Sequence, residues 1–150
     1  MARLLRGAPV AQALTLSLKP RVEALRDRGV VATLAVVRVG EEASDLSYER
    51  AARRRMDAVG IATKSIALPA DCSQAELTDA IDRVNGDAGI HGCLILRPLP
   101  RTLDERAACA ALDVAKDVDG VTVGQGRERV GRRGDRVDQE AADGDDPRHL

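Results

Sequence analysis

Apolar positions along the chain alternate between helical and strand spacing. Val10, Leu14, Leu18, Val22 and Leu25 recur every three or four residues across 9–28, the pattern of a helix lying on a core. Pro20 interrupts it and either kinks one helix or separates two, and Gly29 ends it. Residues 30–39, VVATLAVVRV, are almost unbroken aliphatic and β-branched, as in a parallel strand buried on both faces. After Gly40 and an acidic turn at Glu41 and Glu42, the stretch to Gly60 reads as a helix. Ser44 is its expected N-cap and Gly60 its stop.

The rest of the chain repeats this alternation. Ala62 to Leu68 is a second strand candidate, ended by Pro69. Ser73 and Glu76 have the spacing of a capping box before a helix through Leu77, Ala80, Ile81 and Val84, broken at Asn85, Gly86 and Asp87. His91 to Leu96 is a third strand, ended by Arg97, Pro98, Leu99 and Pro100; these prolines lack ladder donors and place 97–101 on a loop. A short helix over 103–112 and the charged run Ala115 to Gly120 follow. Strands separated by helices predict a three-layer βαβ domain with a mostly parallel sheet over 1–123, its mouth loops on one edge. From Gly124 the text turns polar and glycine-rich, and 124–150 is expected to be a disordered tail.

Composition changes this picture little. The 150 residues contain no Phe or Trp and one Tyr, so the core must be built from Val, Leu, Ile and Ala. Lysine occurs only at Lys19, Lys64 and Lys116, so twenty of the 23 basic residues are arginine; they balance 24 acidic ones to a net charge of -1. That balance argues against nucleic acid or an anionic membrane as partner. Cys72, Cys93 and Cys109 are far apart and lack metal-ligand spacing, which fits reduced thiols in a cytoplasmic protein. No apolar run reaches the roughly 18 residues of a membrane span. His91 and His149 have no companion ligands, so no metal site is expected.

The candidate chemistry lies at the sheet mouth. Tyr48, in the early turns of the second helix, is either a packing aromatic or a ligand platform with a hydroxyl. Asp119 either caps a turn before Gly120 or accepts hydrogen bonds from an amidine-like ligand edge. Arg97 stands in a proline loop at a strand end. The cluster Arg50, Arg53, Arg54 and Arg55 reads as a solvated helix face or as a receiver for a polyanionic ligand tail. Cys93 alternates with Ile95 and is expected to be a buried, inert thiol.

Together the VVRVG strand end, the following helix with Ser44 and Tyr48, the LP before S-x-x-E-L, the HG strand ending in PLP, and KDVDG at 116–120 resemble one family. It is the N-terminal catalytic domain of the bifunctional methylenetetrahydrofolate dehydrogenase/cyclohydrolase, matched over about residues 5 to 132. The resemblance implies a folate-binding domain in which Tyr48 packs on the folate, Asp119 holds its pterin ring, and Pro98 and Leu99 complete the site. It also implies oxidation of 5,10-methylenetetrahydrofolate with NAD(P) and hydrolysis of the methenyl product.

Two departures bear on that activity. The family lysine four residues after the tyrosine, a proton shuttle, falls on Ala52, and the glutamine that orients it falls on Leu96, with Arg97 where a leucine is usual. The family's dinucleotide-binding second domain is not expected in this chain, so no cofactor is expected here and NAD(P) would belong to that second domain. The readings are a truncated, divergent relative that binds reduced folate with impaired activity, an altered one-carbon enzyme using Arg97 or Arg53, or a non-catalytic interaction paralogue. The last would act as a homodimer or pair with a complete relative.

Overall fold

The computed structural model describes residues 6–122; the tail expected over 124–150 lies outside the described residues. Seven elements follow in chain order: α1 (Gly7–Asp27), β1 (Thr33–Val39), α2 (Ala43–Val59), β2 (Ala62–Leu68), α3 (Gln74–Gly86), β3 (Gly92–Ile95) and α4 (Glu105–Ala111). The strands form a parallel sheet in the order β2-β1-β3, so the α/β expectation holds. β1 is central and β3 lies on its far side from β2, the crossover pattern that parallel connection by helices requires.

α1 is one helix, with Pro20 inside it. The amide that proline lacks would bond the carbonyl four residues earlier, at Leu16, and Leu16 is exposed, so the lost bond falls on the outer side of the helix. The first strand starts three residues later than its composition suggests. The amide of Val30 returns to the Leu25 carbonyl at 2.9 Å, closing the helix end around Gly29 at φ 79°, and so cannot join the ladder. The second helix begins at Ala43 with Glu42 at the N-cap position and no side-chain cap, so Ser44 is not the cap: it already lies within the first turn. Gly60 closes this helix in the left-handed region at φ 86°. Ser73 and Glu76 form the full capping box of α3.

Alternation along β1 divides the core. Ala35, Val37 and Val39 face α3 and α4, meeting Leu77, Ile81, Cys93, Ile95 and Leu99 in the main cluster. Leu34 and Val36 face the other way, where Leu96, Leu94, Met56 and Ile61 pack beside them. The sheet is thus covered on both faces, α2 on one and α3 with α4 on the other. Its strand ends open on the edge where α2 begins.

Candidate functional site

Gly40 takes φ 82° at the end of β1, a conformation only glycine adopts without strain, and turns the chain toward α2. Arg38, two residues earlier, donates through Nε to Glu49 Oε2 at 2.9 Å and through a terminal nitrogen to the Gly40 carbonyl. Both charged side chains are close to nine-tenths buried. This pair pins the first turns of α2 to the strand it follows. Ser44, Asp45 and Tyr48 then stand on one helix face, at spacings of three and four residues, above the sheet mouth.

Opposite them, the end of β3 supplies the second wall. The amide of Leu96 still bonds the Val37 carbonyl at 2.9 Å, and that of Leu99 bonds Glu105 Oε2 at 2.9 Å. The loop between is therefore anchored on both sides and presents Arg97 and Pro98, joined by a cis peptide bond. These two walls enclose a cavity of about 440 Å³ lined by the α2 residues, by Leu94, Ile95, Leu96, Arg97 and Pro98, and by Asp119. The volume is in the range of small-molecule sites.

The run from Lys116 to Gly120 builds the third wall, and each residue has a separate task. Lys116 Nζ donates to the carbonyls of Val84 and Asp87 at 2.6 and 2.7 Å, placing a cation on the carbonyl end of α3. Its own carbonyl accepts from the Cys93 amide at 2.7 Å, so 116–117 run beside β3. Asp117 is buried and accepts from the amides of Asp119, Gly120 and Thr122 and from the Thr122 hydroxyl. Burial pushes its carboxyl up, but the bonds from Thr122, Val121 and Gly120 outweigh that and hold it below the usual carboxylate range. Val118 lies over Gly92, where a Cβ would come within 2.7 Å of its Cγ1. Asp119 is left to face the cavity, where its Oδ2 meets Arg97 at 3.6 Å.

Tyr48, Arg97, Pro98 and Asp119 are thus brought together. Tyr48 is 56% exposed, with its ring at the rim rather than in the core. Leu96 also lines the cavity while packing with Leu34 and Val36. Ala52 follows Tyr48 by one turn and is partly buried. Leu99 is packed in the main core, and Arg53 reaches Glu49 at 3.9 Å from an exposed position; neither lines the cavity. Asp45 and Asp117 were not singled out by sequence reasoning. The three-residue step from Asp45 to Tyr48 is the signal for the first, and the second had none beyond its place in KDVDG.

The remaining candidates have structural places. Cys93 is buried and its thiol is pushed up to about 11, by burial first and by the Asp117 charge second, as expected of an inert thiol. His91 accepts from the Thr33 amide through Nδ1 at 3.2 Å. Among the described residues no cluster of three His, Cys, Asp or Glu side chains could hold a metal ion, and no helix is long and apolar enough to cross a membrane.

The family described as tetrahydrofolate dehydrogenase/cyclohydrolase, catalytic domain, matches residues 5–119. Bifunctional protein FolD of Alkaliphilus oremlandii is 39% identical over 119 residues, which are 79% of this chain and 42% of that protein. The FolD of Carboxydothermus hydrogenoformans is 39% identical over 124 residues, 83% of this chain and 43% of the relative. Among solved structures, the bifunctional FolD enzyme of Campylobacter jejuni superposes with a TM-score of 0.81 at 26% identity, over 83% of this chain and 45% of that one. A 5,10-methylenetetrahydrofolate dehydrogenase from the silkworm, Bombyx mori, gives 0.79 at 30% identity, over 87% and 45%. The chain spans less than half the length of each of these relatives.

Proposed function

The chain belongs to the tetrahydrofolate dehydrogenase/cyclohydrolase catalytic-domain family, and from that premise we propose that its sheet-mouth cleft binds a reduced folate without the usual hydrolytic proton relay. One observation carries the reading: Tyr48 and Asp119 converge on one cavity; beside it, the family resemblance implies that the lysine and glutamine of the relay fall on Ala52 and Leu96. The Asp119 carboxylate offers two acceptors to an amidine-like edge such as a pterin presents. The Tyr48 ring offers a face and a hydroxyl at the rim.

Water attack on a methenyl carbon needs a group that takes and returns a proton near neutral pH. A lysine desolvated beside a glutamine can serve. Ala52 has no polar atom, and Leu96 is packed among aliphatic side chains. Arginine as a residue type holds its proton far above neutral pH, so Arg97 does not supply the relay's proton transfer.

A nicotinamide dinucleotide fits these residues poorly. Its pyrophosphate would need open amides at a helix N-terminus, but the β1–α2 turn carries Glu41 and Glu42 with Asp45 behind them, and the Ser73 hydroxyl already takes the Glu76 amide at the start of α3. No hydride-transfer step is assigned to this domain.

The test is calorimetric titration with 5,10-methenyltetrahydrofolate beside a spectroscopic assay of its hydrolysis, repeated on the A52K/L96Q double variant. Binding by the native chain without hydrolysis, and turnover in the double variant, is the expected result. No saturable binding at millimolar ligand by either form would overturn the reading. If the native chain hydrolyses the ligand and Arg97→Ala abolishes turnover, Arg97 instead serves altered one-carbon chemistry by stabilising developing negative charge.

A second reading, an interaction role, is favoured by Val10, Leu14 and Leu16, which stand largely exposed on α1. Sedimentation that resolves a dimer of this chain, with no folate binding, would select it.

A further inference from the structure

Arg97 and Asp119 meet at the open mouth of the cleft, each with its side chain partly exposed. Both are held by loops with little freedom. The Arg97 loop is fixed by the Leu96 and Leu99 amides, and the Asp119 loop by the bonds that converge on Asp117. An ion pair between anchored loops loses less side-chain freedom on forming than one between mobile groups. At 3.6 Å, with side chains 42% and 49% exposed, the guanidinium stands against one oxygen, Oδ2, of the carboxylate that an incoming ligand would use, and remains accessible enough to be moved.

We infer that Arg97 is a resident counter-ion for Asp119, and that a ligand binds by displacing it, which makes Arg97 the specificity-determining residue of the cleft. This rests on the assignment of Asp119 as the acceptor for the ligand's amidine-like edge. A displaced guanidinium inside a small cavity keeps its charge, and the other ionisable groups lining that cavity are Asp45 and Tyr48. A ligand that brings its own anionic group beside the heterocycle supplies a new partner. A neutral heterocycle takes Asp119 and leaves Arg97 only Asp45 and solvent to turn to. The cleft therefore selects for amidine-bearing heterocycles with an anionic substituent and against neutral ones, a preference by penalty as well as by attraction.

The probes are 2-amino-4-oxopteridine and its 6-carboxylate, titrated into the native chain, Arg97→Leu, Arg97→Lys and Asp119→Asn, at low and at high salt. The native chain should favour the carboxylate, and Arg97→Leu should bind the neutral probe about twofold to fivefold more tightly than the native chain does, the scale of a partly exposed ion pair. Arg97→Leu should also lose the salt-sensitive preference for the carboxylate, and Arg97→Lys should keep it. A neutral-probe affinity unchanged or weakened in Arg97→Leu, in protein that melts like the native chain, would overturn the inference. If Asp119→Asn abolishes binding while Arg97→Leu behaves as native, only the counter-ion role fails. If no variant binds either probe or 5,10-methenyltetrahydrofolate, the folate reading fails with it.

Discussion

Arg38 on the central strand and Glu49 on the helix that follows it share a 2.9 Å ion pair with side chains only 12% and 11% exposed. Glu49 adjoins Tyr48, so the pair fixes the helix turn that carries the rim of the cleft. Breaking such a pair leaves one charge buried without its partner, which costs far more than the pair contributes. Glu49→Ala should lower stability by about 3 kcal/mol, read as a shift of the urea midpoint. A double variant, Arg38→Leu with Glu49→Leu, should recover most of the loss, because two apolar groups leave no orphan charge. If both variants are equally destabilised, the pair holds the helix through geometry that packing cannot replace.

Asp117 links stability to pH. Its carboxyl is held below the ordinary range in the folded chain, so its contribution is fully present above the unfolded value of about 4 and is lost as pH falls through the lower folded value. Glu76 and Asp87 are lowered as well, by bonds from Ser73 and Gly89 respectively, and act in the same direction. Asp117→Asn should cost about 1–3 kcal/mol near pH 7, and its gap from the native chain should narrow as pH drops below about 4. Denaturation curves at several acidic pH values measure that gap; a constant gap would mean the carboxyl's charge is not what the loop depends on.

Gly92 leaves room that Val118 fills. An added Cβ at 92 would lie 2.7 Å from Val118 Cγ1, and Val118 precedes Asp119. Gly92→Ala should therefore push Val118, which is half exposed, aside at about 1 kcal/mol, the low end for overpacking, and also weaken any ligand held by Asp119. Val118→Ala in the same chain should restore both. Recovery of stability without recovery of binding would separate the packing of β3 from the placement of Asp119.

All three cysteines are buried, and the Cys93 thiol at about 11 has roughly one part in a thousand as thiolate at pH 8. Ellman's reagent should titrate Cys93 only after unfolding. Fast reaction at Cys93 in the native chain would mean that β3 opens locally.

Leu96 packs with Leu34 and Val36, so Leu96→Gln alone buries an amide and should cost about 1–3 kcal/mol. Ala52→Lys alone should be nearly neutral at its partly buried helix position. If the two side chains meet, the double variant should be more stable than the sum of the single changes, by about 0.5–3 kcal/mol in the double-mutant cycle. Strict additivity would mean the new lysine and glutamine do not touch.

What was legible in the chain itself was what depends on neighbours in sequence. Helical spacing, the β-branched run of β1, Gly60 and the Ser73–Glu76 box are all local signals, and local hydrogen bonding and sterics settle them. Tyr48, Arg97, Pro98 and Asp119 could be assigned to one mouth because parallel strands joined by helices bring their ends to one edge. Tertiary contacts decided the rest. Ser44 faces the cleft rather than capping α2, because Arg38 bonds the Gly40 carbonyl and Glu49 and so sets where that helix starts. Leu99 sits in the core because Glu105 holds its amide, and Asp119 faces Arg97 because the buried Asp117 gathers the amides around it. Arg38 and Glu49 lie eleven residues apart and belong to different elements, while the Asp117 and Glu105 bonds are short in sequence but fall in irregular loops, where no apolar period marks them. Each is made when a polar group that folding shields from water finds its partner.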